Sequence, residues 1–284
     1  MCRRLPLVML TTTVLLCAAA PWSGAPRAQE AGHSPTDLAK ATQNPVADLT
    51  TIPFQFNFTS GGPLEDRTFY NLNIQPVMPL KVNDEWNLIA RTIVPYLSIS
   101  VPGDTTLGIP ERRETGIGDI QEQLFLTPAK AGGLIWGLGP VLSFPTATNE
   151  AARTGDWAIG PTAVALKMTG PWVVGALANQ LWTVSGDDIG EDVSQLLVQP
   201  FINYNLARGW ALSTAPVITA NWAAPDGEQW TVPIGLGISK VSAIGKQPVN
   251  LGLQYYHNAE RPSSTGEDTI RFVFALLYPI PKKG

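Results

Sequence analysis

The sequence predicts an all-β chain, an antiparallel up-and-down transmembrane β-barrel of 12 strands. Three observations carry that prediction. Runs of about ten residues alternate polar and apolar side chains, the length a tilted strand needs to cross a hydrocarbon layer. An export signal is followed by no apolar stretch long enough for a spanning helix. The tryptophans sort to the two ends of the runs, where a flat amphipathic ring meets both lipid and water.

The clearest hairpin runs from Gln195 to Trp222. Leu196, Val198, Pro200, Ile202 and Tyr204 point one way, and Gln195, Gln199, Asn203 and Asn205 the other, a period of two. Ala207-Arg208-Gly209 closes a turn, and Trp210 opens a second alternating run through Ile218, Ala220 and Trp222. Only helices and closed barrels satisfy every backbone group in lipid, so a chain rich in apolar residues but lacking membrane helices points to a barrel.

In chain order, residues 1–28 read as a secretory signal peptide: Arg3 and Arg4 precede the apolar run Leu5–Ala20, followed by small residues. Leu16 is too large to precede a lipidated Cys17. Both cysteines, Cys2 and Cys17, lie inside this segment, which leaves no thiol, disulfide or cysteine metal site in the mature chain. Residues 29–50 form a polar periplasmic leader. Ser34-Pro35-Thr36-Asp37 is a helix start, predicting either a short helix to about Gln43, beside the barrel or tucked into it, or a flexible leader.

Residues 51–284 hold the barrel. Alternation begins at Ile52, with Phe54, Phe56 and Phe58 on one face and Gln55 and Asn57 on the other. The further runs are 68–78, 86–96, 118–127, 133–144, 156–168, 172–183, the two arms of the Gln195–Trp222 hairpin, 229–240, 249–257 and 269–278, twelve in all. That is an even number, as a bacterial barrel with both termini in the periplasm requires. Every second connection is short and the others are mostly longer, which matches periplasmic turns and outer loops. Asp187, Asp188, Glu191 and Asp192 crowd one outer loop, whereas Lys81, Lys130, Arg208, Lys246, Lys282 and Lys283 gather at the other end.

Trp86, Trp172 and Trp210 begin upward strands, Trp157, Trp182, Trp222 and Trp230 sit near outer ends, and Trp136 lies slightly inside. A soluble barrel also alternates, but has no reason to sort tryptophans into two belts. Two features fit less well. Runs 118–127 and 156–168 alternate poorly, with Val164 and Leu166 facing inward if Trp157 faces lipid. Prolines at 76, 95, 140, 161, 200, 216 and 233 each remove a ladder hydrogen bond.

The inward face predicts a hydrated, nearly neutral lumen. Arg91, Arg271, Gln199, Asn203 and Gln254 project into it, with Asp119 the nearest acid available to pair with an arginine. Gly137, Gly139, Gly235, Gly237 and Gly252 remove bulk from the same face and leave space for a solute. Filling by these side chains and an infolded loop is the competing expectation. Catalysis has little to stand on. The only histidines are His33 and His257, which excludes a multi-histidine metal site, and no catalytic residue or cofactor is expected. His257 has outward parity near the outer leaflet.

The stretches Trp136-Gly137-Leu138-Gly139-Pro140 and Phe144-Pro145-Thr146-Ala147-Thr148 resemble a known family. So do Gly116–Ile120, Gln199–Asn205 and Thr231-Val232-Pro233-Ile234-Gly235. As a set they resemble the bacterial outer-membrane family named after the MetA pathway of phenol degradation, over roughly Leu38 to Pro279. The resemblance implies a barrel in the outer membrane and passage of small compounds, aromatic ones among them. The leading expectation is therefore a channel for small solutes. The alternatives are a lipid-modifying enzyme using His257, or a structural or adhesive barrel acting through its acidic loops. The expected partners are outer-membrane lipid, lipopolysaccharide and a small-molecule solute, with no nucleic acid.

Overall fold

The computed structural model describes residues 34–62, 68–101, 111–130, 132–153, 156–185 and 193–279. Residues 1–33, which hold the expected export signal and His33, lie outside them, as do Asp187, Asp188, Glu191, Asp192, Lys282 and Lys283. Among the described residues, fifteen strand segments make a closed antiparallel barrel of 12 staves. Nine staves are continuous: β1 (Leu49–Ser60), β4 (Trp86–Val101), β7 (Ile135–Phe144), β8 (Trp157–Thr169), β9 (Trp172–Ser185), β10 (Ser194–Asn205), β13 (Trp230–Ile244), β14 (Gln247–Glu260) and β15 (Asp268–Pro279). Three are broken in two: β2 (Phe69–Ile74) with β3 (Val77–Lys81), β5 (Arg112–Ile117) with β6 (Ile120–Pro128), and β11 (Trp210–Thr214) with β12 (Ile218–Asn221). Closure is the pairing of β1 with β15, in register from Leu49 opposite Pro279 to Ser60 opposite Asp268.

The breaks account for several of the prolines. Pro76 and Pro216 sit in gaps between segments, where no ladder donor is needed. Pro95 lies opposite the gap at Gly118-Asp119, and its carbonyl accepts from Gly118 N at 2.8 Å. Pro140 and Pro161 face each other across β7 and β8, and the register of β13 against β14 shifts at Val232/Pro233. The stave expected at 118–127 therefore starts earlier, at Arg112, and its poor alternation has a physical cause. Phe125 is turned inward, while Glu122 faces outward and accepts from Thr92 Oγ1 at 2.6 Å. In β8 the inward row includes Val164 and Leu166, both buried, because that wall meets an apolar cluster.

The outer face is apolar. Ile234, Leu236 and Ile238 on β13 and Leu251, Leu253 and Tyr255 on β14 are all exposed, as lipid-facing residues must be. Trp172 packs on Tyr204 at one end, Trp86 on Trp136, and Lys240 caps the Trp210 ring at 4.6 Å. At the other end Trp222 meets Trp230 and Trp157 meets Phe144, while Trp182 stands exposed.

The described part of the leader begins at Ser34. Helix α1 (Pro35–Thr42) is capped by Ser34, whose hydroxyl accepts from Asp37 N, with Pro35 in the first turn. Leu38 and Ala39 are buried against Leu49, Val241, Ala275 and Leu277. Val46 joins the opposite wall, packing with Ile89, Phe125, Ile135, Val164 and Phe201. The leader thus lies inside the turn end of the barrel and bridges two apolar clusters.

Candidate functional site: the barrel lumen

Two different environments divide the lumen. The half nearer the short turns is filled by the two clusters and the leader. The outer half holds a cavity of about 750 Å³ whose rim includes Gly62, Ser264 and Gly266 from the outer loops. A separate cavity of about 570 Å³ lies on the turn side, lined by Lys40, Asn44, Asp48, Asn87 and Met168. Ile135 and Val46 edge this second cavity and belong to the apolar cluster that stands between the two.

The outer cavity is lined by alternate residues of several staves, which is why amides and arginines converge there. Arg91 on β4 donates to Gln75 Oε1 at 2.7 Å and to Gln123 Oε1 at 3.2 Å. Gln75 Nε2 in turn donates to Gln55 Oε1 at 3.2 Å. Arg271 on β15 donates through Nε to Asn57 Oδ1 at 2.7 Å, reaches Gln254 Oε1 at 3.5 Å, and lies over the Tyr256 ring at 5.1 Å. Gln55 and Asn57 are two residues apart on β1, so both arginines are anchored to one wall. Neither has a carboxylate within ion-pair distance among the described residues. Amide oxygens hold each guanidinium in place without neutralising it.

Of the residues expected to form the pathway, Arg91, Arg271, Asp119 and Gln199 line this cavity. Asn203 does not. It is buried beyond Phe201, in the closed half. Gln254 also stands below, where Nε2 donates to Ser213 Oγ at 3.4 Å. Asp119 is paired with neither Arg91 nor Arg271; its Oδ1 accepts from Ala147 N at 3.0 Å. That contact draws loop 145–152 inward, and Ala152 reaches the cavity wall.

At Gly137 and Gly237 the expected glycine-lined space is filled. A Cβ on Gly137 would stand 3.1 Å from Phe125 Cβ and 3.3 Å from Val46 Cγ1, and one on Gly237 would stand 2.4 Å from Gln254 Cγ. These glycines allow large neighbours to fold across them rather than opening room for a solute. Tyr256 and the apolar column on β4 belong to the cavity wall but were not picked out in the sequence; inward parity on β14 and β4 was the available signal.

His257 sits on the outer face, as its parity predicts. Its Nδ1 lies 3.0 Å from Asp268 Oδ1, which also accepts from Tyr255 Oη at 2.7 Å. Among the described residues no serine or threonine hydroxyl stands within hydrogen-bond reach of His257. No group of three or more His, Cys, Asp or Glu among them is arranged to hold a metal ion.

No protein-family model and no curated protein sequence matches the chain. Solved structures do. The COG4313 outer membrane channel from Pseudomonas putida F1 aligns with a TM-score of 0.57 at 15% identity, over 81% of this chain and 94% of that one. The NanC porin aligns with a TM-score of 0.50 at 7% identity, over 81% of this chain and 100% of that one. The chain has the fold of an outer-membrane β-barrel. At such identities the likeness concerns the fold, and the apolar exterior and aromatic belts of this chain agree with it.

Proposed function

We propose that this protein is an outer-membrane channel for small solutes, hydrophobic or aromatic ones among them. One observation carries the reading. A cavity of about 750 Å³, lined by amides, hydroxyls, an apolar column and two arginines, occupies the outer half of a barrel with an apolar exterior. A purely structural barrel has no use for two charged side chains held open by amides in its interior, since their burial without a counter-charge is costly. The motifs resembling the MetA-pathway family support small aromatic cargo. The leader and its two clusters close the far end, so transport requires that plug to shift. Conductance in planar bilayers and swelling of protein-loaded liposomes test the reading. Absence of both, with the leader deleted, would favour a structural or adhesive barrel.

A second reading has a specific observation in its favour. Asp268 gives His257 an orienting carboxylate at the membrane surface, as a lipid hydrolase would require. The hydroxyl nucleophile is lacking from its reach among the described residues, which favours the channel. Lipid turnover by the wild type and by His257→Ala decides between them.

A further inference from the structure

Inward positions along β4 read Arg91, Ile93, Pro95, Leu97 and Ile99, and all five line the outer cavity. One strand therefore sets a cation at the foot of an apolar column. Arg91 gives two of its five N–H groups to amide oxygens, leaving three without a protein acceptor among the described residues. Beside it Gln123 is 1% exposed, and its Nε2 has no hydrogen-bond partner although its Oε1 is taken by Arg91. A buried donor beside a guanidinium is a site that gains from an anionic acceptor. Arg271 is less open to a ligand, because the Tyr256 ring covers it and Asn57 holds its Nε. The cavity lining among the described residues carries two guanidinium groups against one carboxylate, Asp119, and so favours a single negative charge.

Building on the channel reading, we propose that the cavity selects small monocarboxylates with an apolar, ring-sized body. The planar carboxylate takes the remaining N–H groups of Arg91 together with Gln123 Nε2, and the ring lies along Ile93 and Leu97. A cation is repelled, a neutral alcohol leaves the buried donors poorly matched, and acetate leaves the apolar column uncovered.

Titration calorimetry on the full mature chain in detergent, with benzoate, acetate, benzyl alcohol and benzylamine as probes, tests this. Benzoate is expected to bind at least about tenfold more tightly than any of the other three, the scale of one charge-assisted hydrogen bond. Arg91→Gln should abolish the preference of benzoate over benzyl alcohol. Should that variant fail to fold, Gln123→Glu serves in its place, since it sets a carboxylate of the same shape beside Arg91 and should weaken benzoate by a similar factor. Equal affinity for benzoate and either acetate or benzyl alcohol would overturn the proposal, as would a folded Gln123→Glu that binds benzoate like the wild type. Bilayer conductance is scored separately. Benzoate binding with no conductance supports the site and sinks the channel; conductance with no preference among the probes does the reverse.

Discussion

Gln43 and Asn205 exchange two amide hydrogen bonds, Gln43 Nε2 to Asn205 Oδ1 at 3.0 Å and Asn205 Nδ2 to Gln43 Oε1 at 2.9 Å. The exchange ties the end of the leader helix to the foot of β10. It completes a closure otherwise made by Leu38 and Ala39 against one wall and Val46 against the other. Fully burying a leucine or valine contributes roughly 1.5–3 kcal/mol, so the leader is held firmly but by few contacts. The strand ladder does not depend on it.

Deleting residues 34–48 is therefore expected to leave a folded barrel with lower thermal stability and higher single-channel conductance. Asn205→Ala should act in the same direction more weakly, because it leaves both polar groups of Gln43 without their partner. Hydrogen exchange at residues 37–46 should rise in that variant. Unchanged conductance after the deletion would move the barrier from the leader to the cluster of Ile89, Phe125 and Phe201 beneath the cavity.

The two arginines are expected to set the charge preference of the pathway. Both face the cavity without a carboxylate at ion-pair distance among the described residues. Replacing both with glutamine should lower the anion-to-cation permeability ratio, measured as a reversal potential in a salt gradient. Heat-modifiable gel migration should be kept, since glutamine preserves some hydrogen bonding to Gln75 and Asn57. A folded double variant with unchanged selectivity would remove both residues from the conducting path.

Strand placement was legible wherever lumen and lipid demand opposite chemistries, as in β10 and β14, where polar and apolar residues alternate. It blurred in β6 and β8, because the inward residues there meet an apolar cluster and lose their polar signature. The arginines and the amides that hold them were legible by parity, but which amide meets which arginine was not. Gln75 reaches Arg91 across a break in its own stave, and the break follows from Pro76 and the neighbouring pairings rather than from any alternation. The glycines misled for a related reason. A missing side chain signals close approach, and only the folded barrel shows that Val46, Phe125 and Gln254 are what approaches. The leader's seat inside the barrel rests on three apolar residues, Leu38, Ala39 and Val46, spread through a polar segment with too little periodicity to read.

Topology can be tested with single cysteines, since the only two, Cys2 and Cys17, lie in the stretch that reads as an export signal. Ser263 lies exposed in an outer loop and Lys246 lies exposed in the turn between β13 and β14, at the opposite end. Ser263→Cys should react with an impermeant maleimide on intact cells, and Lys246→Cys only after the outer membrane is opened. Arg208 is a poorer probe of the turn end, because it holds a φ of 61° that a cysteine would adopt only with strain. The reverse labelling pattern would invert the barrel and place the leader outside.

The lipid-facing assignment is tested most directly at Leu236. It is 69% exposed near the middle of β13, between Ile234 and Ile238 on the same face. An arginine there has no water to reach without distorting the bilayer, and on the lipid face of a barrel it costs roughly 2–4 kcal/mol at mid-depth. The neighbouring inward position is an unsuitable control, because any side chain at Gly237 collides with Gln254 and the Leu253 carbonyl. Gln199 is better, since it lines the hydrated cavity from β10. Denaturant unfolding of the lipid-embedded barrel should show a large loss for Leu236→Arg and a small one for Gln199→Arg, whose guanidinium enters the cavity. Equal losses would mean that the two faces are not lipid and lumen, and the barrel would have to be read as a soluble one with its apolar surface covered by something else.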